Sequence, residues 1–381
     1  MSPADLYLND VQTPALILDE ARMQRNIDRL AEHIGSKGGV LRPHLKTVKS
    51  VEIAKRLLIN GNGPATVSTL AEAEIFAEAG IRDITYAVGI TPQKLDRVAA
   101  IRAKGCDLTV ILDSPDQANA VVEVSQRLGQ KLPALIEIDC DGHRSGVEPS
   151  DPTLIEIGTI LHEGAELRGI LGHAGESYEV YGKEAHAAFA EQERQAATKA
   201  ASNLVEAGLP CPVVSIGSTP TAHAIENLDG ITEVRAGVHT FFDLVQAGIG
   251  VCDQDDIALS VLTSVIGHQR DKGWIIIDAG WMALSRDRGT SAQRVDQGYG
   301  VVCDESGDVI PDLIVIKANQ EHGIIALRPG SDAGLPELPL GTKLRILPNH
   351  ACATAAQFPA YHVVPTSRDA PLKVWRRFRG W

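Results

Sequence analysis

Between residues 40 and about 240, short β-branched runs alternate with longer amphipathic stretches eight times, and this rhythm restricts the fold more than any other feature of the chain. Candidate strands fall at 40–46, 65–69, 84–88, 107–112, 134–139, 168–173, 213–217 and 232–236. Helical patterns lie between them at 70–79, 92–103, 114–128 and 183–207. Several close on a glycine suited to a left-handed cap: Gly80, Gly105, Gly129 and Gly208. Parallel strands joined by helices are covered on both faces, which is why such runs read as apolar throughout. Eight repeats predict an α/β fold with a TIM-like (β/α)8 barrel. An earlier strand at 15–19 and helix at 20–33 would make a ninth unit, for which a closed barrel has no place. That strand is assigned to a second domain.

Beyond residue 250 the pattern changes to strand-like runs without long helices, at 258–267, 274–278, 300–303, 313–318, 324–328 and 343–347. The expected division is a barrel over 20–250 and a mostly β C-terminal domain made of 1–19 plus 251–381. The Gly- and Pro-rich stretch 328–341 reads as a surface loop between its strands. At 381 residues and 44% hydrophobic content, the chain can supply two cores. A net charge of −13 disfavours nucleic acid and anionic membrane as partners, because phosphates would be repelled over most of the surface. No apolar run is long enough to span a bilayer, and Met1-Ser2-Pro3-Ala4-Asp5 lacks the basic start of a secretion signal, so the cytoplasm is expected. Six widely spaced cysteines without a Cys-x-x-Cys pair indicate neither a disulfide scaffold nor a four-cysteine zinc module.

In a barrel the C-terminal strand ends face the active site, and the loops after the seventh and eighth strands commonly hold a phosphate. Lys46 ends the first strand, behind the apolar Val40 and Leu41. Desolvation there would lower the amine's pKa and make it nucleophilic, and the neighbouring cations Arg42, His44 and Lys49 would strengthen the effect and attract an anionic cofactor. The plain alternative is a strand-end lysine reaching solvent. Gly217-Ser218-Thr219-Pro220-Thr221 follows the seventh strand and Ala236-Gly237-Val238 the eighth, where a phosphate is expected. His350 and Cys352, two apart on a segment expected to be extended, would point to one side and reach a single cation such as Zn²⁺. Spacing alone would more often describe a buried histidine beside an inert thiol. Two ligands are too few for a structural zinc and suit an open catalytic site. Asp139 and Asp141 form a possible acid–base pair, although aspartates beside glycine more often shape turns. Arg144 could donate to a phenolate or carboxylate, and Tyr178 could hydrogen-bond a ring nitrogen. Surface ion pairs would account for Arg286 and Arg288.

Four segments together carry a resemblance: Arg42-Pro43-His44-Leu45-Lys46-Thr47-Val48-Lys49-Ser50, Asp141-Gly142-His143-Arg144-Ser145-Gly146-Val147, Gly217-Ser218-Thr219-Pro220-Thr221 and Asn349-His350-Ala351-Cys352-Ala353-Thr354. Over nearly its whole length the chain resembles the fold-type III pyridoxal-phosphate enzymes, within the D-serine dehydratase and D-threonine aldolase group. The resemblance implies that Lys46 forms the Schiff base with pyridoxal 5'-phosphate. It also implies that Gly217, Ser218 and Thr219 hold the phosphate; Arg144, Tyr178, Gly237 and Val238 are candidate further cofactor contacts from their chemistry and places in the barrel loops. His350 and Cys352 would bind a divalent metal, zinc or manganese, and the enzyme would be a homodimer. The implied reaction is a lyase's dehydration of a small D-3-hydroxy amino acid, foremost D-threo-3-hydroxyaspartate, to a 2-oxo acid and ammonia. Dehydration of D-serine and aldol cleavage of D-threonine or 3-hydroxy-D-aspartate are the alternatives. A second carboxylate on the substrate would need a cationic partner, for which Arg286 and Arg288 are candidates. A racemase would need a second base and no metal. A non-catalytic cofactor carrier would resemble the barrel alone, without residues 251–381.

Overall fold

The computed structural model describes residues 5–367 and 370–381. Residues 1–4, 368 and 369, which the expected β domain includes, lie outside the described residues. The chain divides into two compact units, one running up to Asp28 and resuming over Val238–Phe378, the other formed by Arg29–Gly237 with Arg379–Trp381.

Strands are numbered in chain order, beginning with β1 (Ala15–Asp19). The second unit is built on β2 (Val40–Pro43), β3 (Ala65–Val67), β4 (Asp83–Gly89), β5 (Asp107–Leu112), β6 (Pro133–Ile138), β7 (Glu166–Gly172), β8 (Val213–Ile216) and β9 (Glu233–Ala236). All pair in parallel, in the order β2-β9-β8-β7-β6-β5-β4-β3. The two end strands meet through a single parallel bridge between His44 and Thr66, with Leu45 N donating to Thr66 O at 2.8 Å. The eight-stranded barrel is therefore nearly closed, and it closes two residues before Lys46.

Helices cover the strands where the periodicity places them, at Leu70–Glu78, Leu95–Ala103, Pro115–Leu128 and Lys183–Glu206. Thr69 and Ser114 cap two of these by accepting the backbone N–H three residues on. Helices Val51–Leu57 and Thr153–Gly164 were not anticipated. The second of them begins Thr153-Leu154-Ile155-Glu156-Ile157, whose clustered branched residues read equally well as a strand.

The first unit holds a nine-stranded sheet. After β1 come β10 (Leu259–Gln269), β11 (Trp274–Ile277), β12 (Val301–Cys303), β13 (Val309–Ala318), β14 (Gly323–Leu327), β15 (Lys343–Leu347), β16 (Ala360–Val364) and β17 (Lys373–Arg376). Their order is β11-β14-β13-β12-β15-β10-β1-β16-β17, with β10 also pairing β11, so this sheet too curls towards a barrel. β1 lies antiparallel to β10 and parallel to β16. The strands β16 and β17 were not anticipated; β17 is a four-residue edge strand with one buried side chain, too short to show a period of two. Residues 328–341 carry no strand or helix, as their composition predicts. Among the described residues no helix is long and apolar enough to cross a membrane, and no disulfide links the cysteines.

Candidate functional site

The Arg42-to-Ser50 segment departs from the expected picture in two ways. The strand stops at Pro43, because the chain turns at the closing bridge, and Lys46 sits in the following turn with an exposed side chain instead of a desolvated one. The neighbouring cations are also already neutralised. Arg42 is buried between Glu233 and Asp83, each at 2.7 Å. Lys49 pairs with the buried Glu72 at 3.0 Å, and Glu72 also accepts from Ser68 N at 2.9 Å. These pairs hold the Lys46 turn in place and do not charge it.

His44 completes that support. Its Nδ1 accepts the Lys46 N–H at 3.4 Å, which leaves Nε2 to donate to Ser68 Oγ at 3.4 Å. Burial, reinforced by the Lys46 and Arg235 charges, holds its pKa well below the usual histidine value, so the imidazole is neutral. His173, following β7, is likewise neutral: burial pushes its pKa down to about 3. Its Nδ1–H donates to Gly217 O at 2.9 Å, leaving Nε2 as a bare acceptor. Sequence reasoning assigned no role to His173, although its position after the sixth barrel strand was the available signal.

The loop after β8 is closely packed and leaves few free donors. Gly217 has φ +132°, and a Cβ there would lie 2.2 Å from Arg235 O. Its N–H donates to Glu193 at 2.8 Å, while Ser218 Oγ is engaged with Ser177 and with Thr221. Thr219 is 1% exposed, and its Oγ1 has no partner. A buried hydroxyl without a partner is costly, and an anionic oxygen at that point would satisfy it. After β9, a Cβ on Gly237 would come within 3.2 Å of the His44 main chain and side chain, so glycine keeps that turn close to the lysine segment. These observations fit a cofactor phosphate. Val238 is buried in the turn Val238–Thr240.

The remaining barrel loops are latched to one another. Asp139 Oδ1 accepts from Asp141 N and Gly142 N, and Asp141 Oδ2 accepts from Glu176 N at 2.8 Å. Both carboxylates shape turns, the commoner role for aspartates beside glycine. His143 bridges to Glu176 at 2.7 Å. Arg144 is exposed, 4.0 Å from the buried Glu137, and Tyr178 is half-buried at the end of the turn Gly175–Tyr178.

In the other unit His350 and Cys352 do come together, though not on an extended segment. His350 is the N-cap of the short helix Ala351–Ala355, and Cys352 is that helix's second residue. The turn forms because the buried Asp243 accepts Ala351 N at 2.9 Å. His350 Nδ1 lies 2.6 Å from Asp287 Oδ2, and the ring also hydrogen-bonds Cys352. Burial works against its charge, but Asp287, Cys352 and Asp243 together raise its pKa to about 11. Asn349 anchors the segment by donating to Gly298 O and accepting from Thr290 Oγ1. Among the described residues no group of three or more such side chains is placed to hold a metal, and His350 and Cys352 are the candidate pair. An imidazole and a thiol, with a carboxylate fixing the far ring nitrogen, fit a borderline cation with open positions. Neither Asp287 nor Asp243 was singled out from sequence, since nothing local distinguishes them from turn aspartates. Arg288 pairs with Asp296 at 2.6 Å, whereas Arg286 is exposed and stacks over Trp281 at 4.6 Å.

Comparison with known proteins identifies the scaffold. Residues 18–245 match the model of the alanine racemase N-terminal domain. The chain belongs to that family. Residues 258–364 of this family member further match the model described as "Putative serine dehydratase domain". It is 53% identical to D-threo-3-hydroxyaspartate dehydratase of Delftia sp. (strain HT23), covering 97% of this chain and 98% of that protein. It is 29% identical to D-serine dehydratase of Dictyostelium discoideum, covering 94% of each. A solved structure of a substituted D-threo-3-hydroxyaspartate dehydratase in the metal-free form superposes with a TM-score of 0.95 at 53% identity, covering 98% of this chain and 100% of that one.

Proposed function

We propose that the chain is a pyridoxal-phosphate- and divalent-metal-dependent lyase that dehydrates a D-3-hydroxy amino acid, foremost D-threo-3-hydroxyaspartate, giving oxaloacetate and ammonia. The observation that carries this reading is the His350–Cys352 pair with Asp287 on the far ring nitrogen, in a chain 53% identical to a dehydratase of that substrate. We assign the cofactor to the barrel, 20–250, and the metal to the β domain, 1–19 plus 251–381.

Bound pyridoxal phosphate supplies an electron sink for negative charge at Cα, and the cation supplies Lewis acidity towards the β-hydroxyl. Lys46 Nζ would hold the cofactor and would serve as the base that takes the proton from the substrate's Cα. Lys49 and Glu72 fix the turn from which it acts. Thr219, with Gly217 and Ser218, receives the phosphate, and Arg144, Tyr178, Gly237 and Val238 complete the cofactor contacts. His350 and Cys352 hold the cation, and their imidazole and thiolate character favours zinc over manganese. Asp287 holds the proton on His350 Nδ1, so the other ring nitrogen is the one that would give up its proton to bind the cation. Arg286 is free of ion pairs among the described residues, and its stacked fork suits a second carboxylate.

The test is incubation with pyridoxal phosphate and Zn²⁺ or Mn²⁺, assaying ammonia, 2-oxo acid and glycine from D-threo-3-hydroxyaspartate, D-serine and D-threonine. Oxaloacetate with ammonia, abolished by chelation and by Lys46→Ala, is the expected result. Glycine with an aldehyde would mean an aldolase; Schiff-base absorbance without turnover would mean a carrier. We extend the reading to a cytoplasmic homodimer, on the family resemblance. A molar mass in solution of one chain, 40.7 kDa, would refute the dimer.

A further inference from the structure

We propose that Glu193 is a positioning residue for the cofactor phosphate: one buried carboxylate sets the loops after β7 and β8 and decides which donor of the 217–221 loop is left for the ligand. This rests on the reading that this loop receives the phosphate.

Glu193 lies on the helix Lys183–Glu206, on the face formed by His186, Ala190, Ala197, Ala200 and Leu204. Every other member of that face except His186 is apolar, and Glu193 is only 1% exposed. A carboxylate is tolerated there because donors surround it. Its Oε1 accepts from Ala174 N at 3.0 Å and from Gly217 N at 2.8 Å, and its Oε2 accepts from Thr221 Oγ1 at 2.8 Å. One side chain therefore ties the loop carrying His173 to the loop carrying Thr219.

The donors it takes determine what remains. With the Thr221 hydroxyl proton directed at Glu193, Thr221 Oγ1 is free to accept from Ser218 N at 3.0 Å, and Ser218 Oγ accepts from Thr221 N at 3.3 Å. Ser218 Oγ also meets Ser177 Oγ at 2.8 Å, and Ser177 Oγ donates to Ala174 O at 2.7 Å, which closes the circuit between the two loops. Within 217–221 the polar side-chain atom left without a partner is Thr219 Oγ1. Glu193 never touches the ligand; it acts through the geometry of Gly217, Thr219 and Thr221.

A purely structural glutamate would alter stability alone, whereas a phosphate-positioning one alters the discrimination between pyridoxal phosphate and pyridoxal, which lacks the phosphate. Dissociation constants for both aldehydes, read from Schiff-base absorbance on the full-length folded protein, separate the two. Glu193→Ala should weaken pyridoxal phosphate binding by about tenfold or more, the scale of two or three lost hydrogen bonds, while pyridoxal changes by less than about twofold. Glu193→Gln keeps a carbonyl oxygen for both N–H groups and should stay within about threefold of the wild type for both. Should the alanine variant not fold, Glu193→Asp, whose carboxylate falls one methylene short, is expected to show the same phosphate-specific loss. Equal weakening of both aldehydes, or unchanged pyridoxal phosphate affinity in the folded variant, would overturn the role. A wild type with no preference for the phosphorylated aldehyde would instead remove the cofactor reading, and the proposal with it.

Discussion

Gly217→Ala should be among the most damaging single-methyl additions in the barrel, and its cost can be worked from two separate terms. The residue has φ +132°, a region that side-chain-bearing residues reach at a cost of about 1–3 kcal/mol. The new Cβ would also lie 2.2 Å from Arg235 O, 2.7 Å from Arg235 N and 3.0 Å from Arg235 C. These are main-chain atoms of β9, paired to β8, so no rotamer change relieves the overlap; β8 and β9 must separate, at a further cost of about 1–3 kcal/mol. The sum is about 4 kcal/mol. Gly208→Ala is the matched control, because its φ is +78° and nothing lies within 4 Å of the added methyl, leaving only a strain term of about 1 kcal/mol. With a urea slope of about 2 kcal/mol/M, the midpoints should fall by about 2 M and about 0.5 M respectively. Equal shifts for the two variants would refute the steric argument, and a Gly217→Ala protein as stable as the wild type would refute both terms.

Other outcomes follow from the histidines and the metal pair. Asp287→Ala should weaken zinc binding by about 10–100-fold in competition with a chromophoric chelator, and Asp287→Asn, which still offers an acceptor to His350 Nδ1, should lose less; unchanged affinity for Asp287→Ala would refute the orienting role. Stability should fall as pH drops below about 6.5. The His173 pKa is about 3 folded against an ordinary value of 6.5, so the unfolded chain takes up the proton first, at a limiting slope of about 1.4 kcal/mol per pH unit until the folded pKa is reached. His44 acts in the same direction. Urea midpoints between pH 7.5 and 5.5 should show this, and the dependence should be flatter in His173→Gln; parallel curves for variant and wild type would count against a buried neutral imidazole.

Much of the architecture is legible in the chain because burial and periodicity are local. The runs at 107–112 and 343–347 coincide with β5 and β15 residue for residue, since each is a strand with strong flanking signals. The 15–19 strand is assigned away from the barrel by counting alone, and it pairs with β10 and β16. Lys46 and Thr219 fall in the segments that follow β2 and β8, as their place in the rhythm implies, whereas His350 and Cys352 lie at a helix start and not on the extended segment expected of them.

Their electrostatic setting does not follow, because it depends on partners far away in sequence. Arg42 beside Lys46 reads as a cation that would lower an amine's pKa, yet Glu233, 191 residues on, holds it in an ion pair. His350 and Cys352 read as neighbours on a strand, yet Asp243, 108 residues before Ala351, turns them into a helix start. Nothing local in the sequence marks Glu193, on which the fold places two loop N–H groups and a hydroxyl. The eightfold rhythm, the change of pattern near residue 250 and the residue types available for chemistry are properties of windows a few residues wide. Which charges are cancelled, which imidazoles are neutral and which hydroxyl is left without a partner are not. Those outcomes are set by hydrogen-bond partners that only folding brings together.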